Sequence, residues 1–279
     1  MTGFGERVRA ALTERGPLCV GIDPHEQLLA EWGLPASAAG VREFGLRTVD
    51  AAAGRVGVVK PQVSFFERWG SAGFAALEEV IAAARSAGLL VIADAKRGDI
   101  GSTMDAYGDA WLTPGAPLEA DAVTANPFLG VGTLEHTFDL AEQHGKGVFV
   151  LAATSNADAF TSQRALVPSG RTVSAEIVAE VSARNAAHTP DGQWASLGFV
   201  VGATVAWEDA GLIAPVPPAP ILAPGFGFQG AQAEHLGRYG AAAPTVIASE
   251  SRSILAAGPA DLAARISERA ASYPRTAHV

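Results

Sequence analysis

Eight short apolar runs punctuate this chain, and their number and spacing limit its possible folds more than any other feature. They read "LCVGID", "VGVVKP", "LLVIAD", "DAVTAN", "GVFVLAAT", "LGFVVGAT", "PILAPG" and "TVIASE". Helix-patterned segments lie between them. In "AALEEVIAAARSAG", Leu77, Val80, Ile81 and Ala84 recur at i, i+3, i+4 and i+7, and Gly88 follows as a stop. Near-continuous apolar strands alternating with helices indicate a parallel sheet buried on both faces. Eight such units predict a closed (β/α)₈ TIM barrel rather than an open sheet. At 279 residues, 48% of them hydrophobic, the chain can form that barrel as a single domain over 1–279. No linker or break in composition marks a second domain.

A formal net charge of −9 argues against a surface that holds nucleic acid by phosphate attraction. It leaves room for a small phosphorylated ligand, which needs only one arginine and a few backbone amides. Cys19 is the only cysteine, so no intrachain disulfide or thiolate metal cluster can form; within "LCVGI" it reads as a buried thiol. The N-terminus is charged and helix-patterned, without the apolar core of a signal peptide. The uncharged stretch 211–228 holds five prolines and fails as a membrane-spanning helix. A soluble, cytoplasmic protein with no membrane partner is expected. Two excursions stand out: 156–175 reads as a loop near the active face, and "NAAHTPDGQWAS" as a segment on the opposite face.

In such a barrel the chemistry sits where strands end, because the interior is packed and the βα loops face solvent there. Those ends offer Asp23, Lys60, Asp94 with Lys96, Asn126, Thr154 with Ser155, Thr204, Gln229, and Glu250 to Arg252. Taken alone, Asp23 before Pro24 could start a turn, and Lys60 before Pro61 could be a solvated strand end. Unlike charges converging on one mouth are harder to explain that way. "PGFGFQG" offers unobstructed N–H groups leading into a helix from Gly230, and Arg252 in "SESRSIL" brings a planar fork suited to phosphate. Gly225, Gly227 and Gly230 also spell a dinucleotide fingerprint, with Glu250 some 20 residues on. Only 29 residues follow Glu250, too few for the doubly wound sheet that motif requires. The six histidines are scattered, and neither a zinc motif nor a serine-hydrolase elbow is present.

The third strand end runs "VIADAKRGDIGST", with two acids and two bases within six positions. "DAKRGDIGST" resembles the D-x-K-x-x-D-I-x-x-T pattern of the orotidine 5′-phosphate decarboxylase family. "GIDP", "VKPQ", "LAATSN", "PGFGFQG" and "SRSI" support the resemblance along nearly the whole chain, and Asn126-Pro127 with the "GAT" of the sixth run resembles the longer bacterial branch. Phe228, Ala231 and Ser251 depart from the residues common in the family. The resemblance implies a cofactor-free decarboxylase that acts on orotidine 5′-monophosphate. Lys96 would protonate C6 as carbon dioxide leaves, and Asp94 would sit against the departing carboxylate. Lys60 and Asp99 would complete a charge array, with Asp99 and Thr103 supplied by the second subunit of a homodimer. Asp23 and Lys60 would address the ribose, Ser155 the pyrimidine edge, and Gln229 and Arg252 the phosphate. Asn126 joins the substrate-binding candidates.

The chemistry agrees with those residue types. Loss of carbon dioxide leaves a localised carbanion for which the ring offers no electron sink, so cofactors of the pyridoxal or thiamine type do not apply. A fixed ammonium stabilises the developing charge and then delivers a proton, and adjacent carboxylates favour the charged form of such an ammonium. Asp-x-Lys on a strand would place both side chains on one face. Two alternatives stay open: a related Mg²⁺-dependent phosphosugar decarboxylase or aldolase, and a non-catalytic barrel that binds a phosphate ligand.

Overall fold

The computed structural model describes residues 2–274. Its eight parallel strands are β1 (Leu18–Ile22), β2 (Val58–Pro61), β3 (Leu90–Arg97), β4 (Ala122–Ala125), β5 (Gly147–Ala153), β6 (Leu197–Val201), β7 (Ile221–Pro224) and β8 (Val246–Glu250). They pair in chain order, and β8 closes on β1 through Leu18 opposite Ala248. The predicted barrel is the one found.

Alternation along the strands divides the apolar residues into two compartments. Leu18, Val20, Val59, Val91 and Val123 pack outward with the helices. Cys19, Val58, Ile92, Ala122, Phe149, Val200, Leu222 and Ile247, one from each strand, pack together inside. Two residues further along come Gly21, Lys60, Asp94, Thr124, Leu151, Gly202, Pro224 and Ser249. Charge and polarity therefore enter the barrel one layer above its apolar filling.

The other end is shut. The N-terminal helix Phe4–Arg15 inserts Phe4, Val8 and Leu12, spaced at i, i+4 and i+8, into that inner cluster. Phe4 meets Phe149 edge-on with ring centroids 5.9 Å apart. The excursion before β6 lies here too: the Trp194 N–H donates to Glu6 at 2.8 Å, and the Phe4 N–H donates to Ser196 Oγ at 3.0 Å. That segment is on the face away from the polar mouth, as its place before a strand requires.

Helices of ten or more residues follow six strands: Ala38–Ala52, Gly70–Ser86, Gly101–Leu112, Glu135–His144, Val173–His188 and Gly258–Ala271. Gly70–Ser86 buries Leu77, Val80, Ile81 and Ala84, the stripe expected from spacing. The crossovers after β6 and β7 differ. After β6 there is only Trp207–Ala210, because Pro215, Pro217, Pro218 and Pro220 deny the next segment the N–H groups a helix needs. After β7, Ala233–Thr245 is a 3₁₀ segment broken at Gly240 (φ 54°, ψ −128°), not the expected helix from Gly230.

Candidate active site

The polar mouth opens into a cavity of about 300 Å³ at the carboxyl ends of the strands. Asp23, Lys60, Asp94, Lys96, Ser155, Gln229 and Arg252 all line it.

Asp94 is the centre of the β2–β3 side. Its Oδ2 accepts from Lys60 Nζ at 2.8 Å, while its Oδ1 accepts from Lys96 Nζ at 2.6 Å and from Thr124 Oγ1 at 3.0 Å. Asp94 and Lys60 are each 5% exposed. Burial opposes the Asp94 charge, but the Lys60 and Lys96 ammoniums outweigh it and hold the carboxyl well below the usual carboxylate range. Burial likewise opposes the Lys60 charge, yet Asp94 and Asp23 raise its pKa above the ordinary lysine value. Both groups are therefore ionised at neutral pH. Beneath them burial pushes the Cys19 thiol up to about 12, as an inert packing residue requires.

Regular alternation does not place Lys96. Its φ is +50°, in the left-handed region that L-residues avoid at a cost of about 1–2 kcal/mol. On β3, Ala93 pairs with Val123 and Arg97 with Ala125, so four steps of β3 pass two of β4. The intervening bulge carries Asp94 and Lys96. Thr124 secures it: its hydroxyl accepts from the Lys96 N–H at 2.9 Å while donating to Asp94. Gln62 Nε2 adds a hydrogen bond to the Asp94 carbonyl at 3.2 Å. Strain held by such a framework is characteristic of functional sites.

The β7–β8 side is built differently. Three N–H groups of the glycine-rich loop are used within it, by Gly227 to the Ala231 carbonyl (2.8 Å), Gly230 to that of Gly227 (3.0 Å) and Ala231 to that of Gly225 (3.3 Å). Among the described residues the N–H groups of Gly225, Phe226, Phe228 and Gln229 are not spent this way, so part of the expected row of free amides remains. Gly227 itself is required: its φ is +71°, and a Cβ there would lie 2.3 Å from Ser253 Oγ. Arg252 begins the short helix Arg252–Leu255, with its guanidinium carbon 4.4 Å from the Phe228 ring centroid. Glu250, the acid of the dinucleotide alternative, is committed to the fold. It pairs with Arg269 at 2.7 Å and accepts from Tyr273 Oη at 2.6 Å and Ser253 Oγ at 2.7 Å.

On the β5 side, Ser155 reaches the cavity beside Thr154. The 156–175 excursion turns back here through the short helix Phe160–Gln163. Gln163 Oε1 accepts from the Thr154 N–H, and its Nε2 donates to Thr154 Oγ1, both at 2.9 Å. Two cavity polar atoms, Asp23 Oδ1 and Ser251 Oγ, are buried without a hydrogen-bond partner among the described residues. Such atoms are rare unless a ligand or water satisfies them.

Asp99, Thr103 and Asn126 do not line the cavity. Asp99 Oδ1 accepts from the Ile100 N–H at 2.8 Å, Asn126 Oδ1 accepts from that of Phe128 at 3.1 Å, and Thr103 is exposed on its helix. Their two loops touch, since a Cβ on Gly98 would lie 2.4 Å from the Asn126 carbonyl. Ile100, Phe128 and Leu129 leave these loops exposed by 61%, 85% and 50%.

The strand-end reading passed over Thr124, Gln62 and His25. Thr124 lies two residues after the inward Ala122 on β4, so its parity was the available signal. Gln62 and His25 follow prolines just past strand ends, and His25 lines the cavity with its ring centroid 4.3 Å from that of Phe65. The described residues contain no cluster of three or more His, Cys, Asp or Glu side chains placed to hold a metal ion.

Known proteins share both sequence and architecture. Residues 16–266 match the family described as Orotidine 5′-phosphate decarboxylase / HUMPS family. A Corynebacterium efficiens protein named orotidine 5′-phosphate decarboxylase is 50% identical over 274 residues, covering 97% of each chain. One of the same name from Salinispora arenicola is 51% identical, covering 95% of this chain and 93% of its own. A crystal structure from Streptomyces avermitilis, described as an orotidine 5′-phosphate decarboxylase, superposes with a TM-score of 0.91 at 45% identity. It covers 98% of this chain and 95% of its own. Leishmania donovani OMP decarboxylase gives a TM-score of 0.73 at 29% identity, covering 96% and 95%. Matched over nearly its whole length in both sequence and barrel, this chain belongs to the orotidine 5′-phosphate decarboxylase / HUMPS family.

Proposed function

We propose that this chain decarboxylates orotidine 5′-monophosphate to uridine 5′-monophosphate in pyrimidine biosynthesis, without a cofactor. The observation that carries the reading is the buried Asp94 carboxylate held between the Lys60 and Lys96 ammoniums in a cavity that Arg252 also lines. Arg252 and Gln229 take the phosphate, Asp23 and Lys60 the ribose, and Ser155 the pyrimidine edge, which directs C6 and its carboxylate toward β3. Asn126 completes the substrate-binding set from the loop that touches Gly98. The C6–carboxylate bond breaks, its electron pair stays on C6, and carbon dioxide leaves. Lys96 Nζ stabilises that charge and then transfers one proton to C6. Asp94 stands against the substrate carboxylate, an anion facing an anion until the bond breaks. The direct test is the ultraviolet absorbance change on adding orotidine 5′-monophosphate to the purified protein. Absence of turnover by the folded protein would reject the reading, and loss of turnover on adding a chelator would favour the Mg²⁺-dependent alternative.

The working unit in this reading is a cytoplasmic homodimer of single-domain chains. Asp99 and Thr103 cover the partner's mouth, and the exposed Ile100, Phe128 and Leu129 lie on the same two loops. Complementation tests the exchange. Lys96→Ala and Asp99→Ala chains are mixed in equal amounts under conditions of subunit exchange. Half of the dimers are then mixed, each with one intact site of two, so about a quarter of wild-type activity returns. If exchange is verified and activity stays at the level of the parent variants, Asp99 acts within its own chain.

A further inference from the structure

Six arginines lie over aromatic rings among the described residues: Arg68, Arg97, Arg164, Arg184, Arg252 and Arg269. Five of them also pair with a carboxylate: Arg68 with Glu26, Arg97 with Glu67, Arg164 with Asp209, Arg184 with Glu142 and Arg269 with Glu250. Arg252 does not. Among the described residues its side chain makes neither an ion pair nor a hydrogen bond, and its contact is the Phe228 ring at 4.4 Å. Phe228 is 64% exposed on the rim of the cavity, so core packing does not account for a large aromatic side chain there.

A long arginine side chain loses rotamer entropy when it is fixed, a cost that an incoming anion must overcome unless something already orders the guanidinium. A carboxylate would order it but would occupy the donors the anion needs, and would have to be displaced. An aromatic ring attracts the cation through its π face and takes none of the in-plane N–H donors. His25 lines the same corner, and burial together with the Arg252 charge lowers its pKa. It therefore brings no second full positive charge there at neutral pH.

We propose that Phe228 is a positioning residue that pre-orders Arg252 for the phosphate monoester of the nucleotide, an inference that rests on the function proposed above. Its action passes entirely through Arg252. The ring needs no contact with the ligand.

The test is a double-mutant cycle read by calorimetric titration of uridine 5′-monophosphate, with uridine as the phosphate-free control. In the Arg252 background, Phe228→Leu should weaken nucleotide binding about three- to thirty-fold, the range of a cation–π contact that becomes desolvated. Phe228→Trp, which keeps a π face, should stay within about two-fold of wild type. In the Arg252→Ala background, Phe228→Leu should change binding by less than about two-fold, and uridine binding should be indifferent to the ring in either background. Thermal unfolding of each variant checks that the loop change leaves the fold intact. Wild-type affinity in Phe228→Leu overturns the proposal. So does an equal loss in both backgrounds, or a loss in Phe228→Trp that matches Phe228→Leu. If the wild-type protein fails to bind uridine 5′-monophosphate at all, the functional reading falls and this inference falls with it.

Discussion

Asp94 and Arg252 face one cavity from opposite sides of the barrel mouth, and they are restrained in contrasting ways. Asp94 is buried and accepts hydrogen bonds from three side chains, Lys60, Lys96 and Thr124. Arg252 is exposed on a short helix behind a glycine-rich turn and rests on a single exposed ring. The contrast follows from what each is proposed to do. Charge that develops during a reaction is best met by groups already fixed, because moving them at that moment adds to the barrier. A group that captures a mobile anion must instead keep its donors uncommitted until the anion arrives. Rigidity at β3 and availability at β8 are two solutions within one mouth.

Three substitutions separate these sides, from the largest expected effect to the smallest. Lys96→Ala should lower kcat by several orders of magnitude while the protein remains folded, since a strand-end ammonium adds little to the core. Near-normal turnover in a folded variant would remove Lys96 from the chemistry. Asp94→Asn should cost about 3–5 kcal/mol of folding stability in urea titrations, because it leaves the Lys60 charge buried without its partner. The depressed Asp94 pKa gives stability that is present above its unfolded value of about 3.9 and is lost as pH falls through the folded value. The raised Lys60 pKa gives stability that is present below about 10.4 and is lost as pH rises through the folded value. The gap between wild type and Asp94→Asn should therefore stay level across neutral pH and narrow only in strong acid and in strong alkali. A gap that changed between about pH 6 and 8 would show that another group dominates it. Arg252→Ala should cost about 2–4 kcal/mol in kcat/KM and almost nothing in thermal stability. Orotidine, without the phosphate, should be a very poor substrate whose turnover ignores this substitution. Comparable kcat/KM for orotidine and its monophosphate would contradict the assignment.

The strands were legible because burial on both faces leaves near-continuous apolar runs, and the mouth residues because charge interrupts those runs at their ends. Local geometry was less so. Counting alternate positions predicted that Asp94 and Lys96 share a face, but the bulge and left-handed turn that bring them together have no pattern in "DAKR". Thr124 was hidden because a threonine inside an apolar strand ordinarily reads as packing. The prolines of 215–220 marked a segment that could not be helical, although counting regular units still promised a sixth helix. Asp99 and Thr103 are present in the motif, yet their side chains lie outside their own cavity. No pattern within one chain states which copy's mouth a loop will cover.

The positive φ of Lys96 also bears on how such a chain would drift under selection. Glycine is the residue that backbone position accepts most readily, so Lys96→Gly should be more stable than Lys96→Ala by about 1 kcal/mol, with both inactive. Most random changes in a protein lose stability and function together, which lets either requirement purge them. Here the two requirements separate. A lineage that no longer needed the reaction would have no backbone reason to retain lysine, and only the ion pair to Asp94 would hold it there. A lysine held at this φ is what the proposed proton donor requires, and it is a mark that the apolar residues of the barrel core cannot carry.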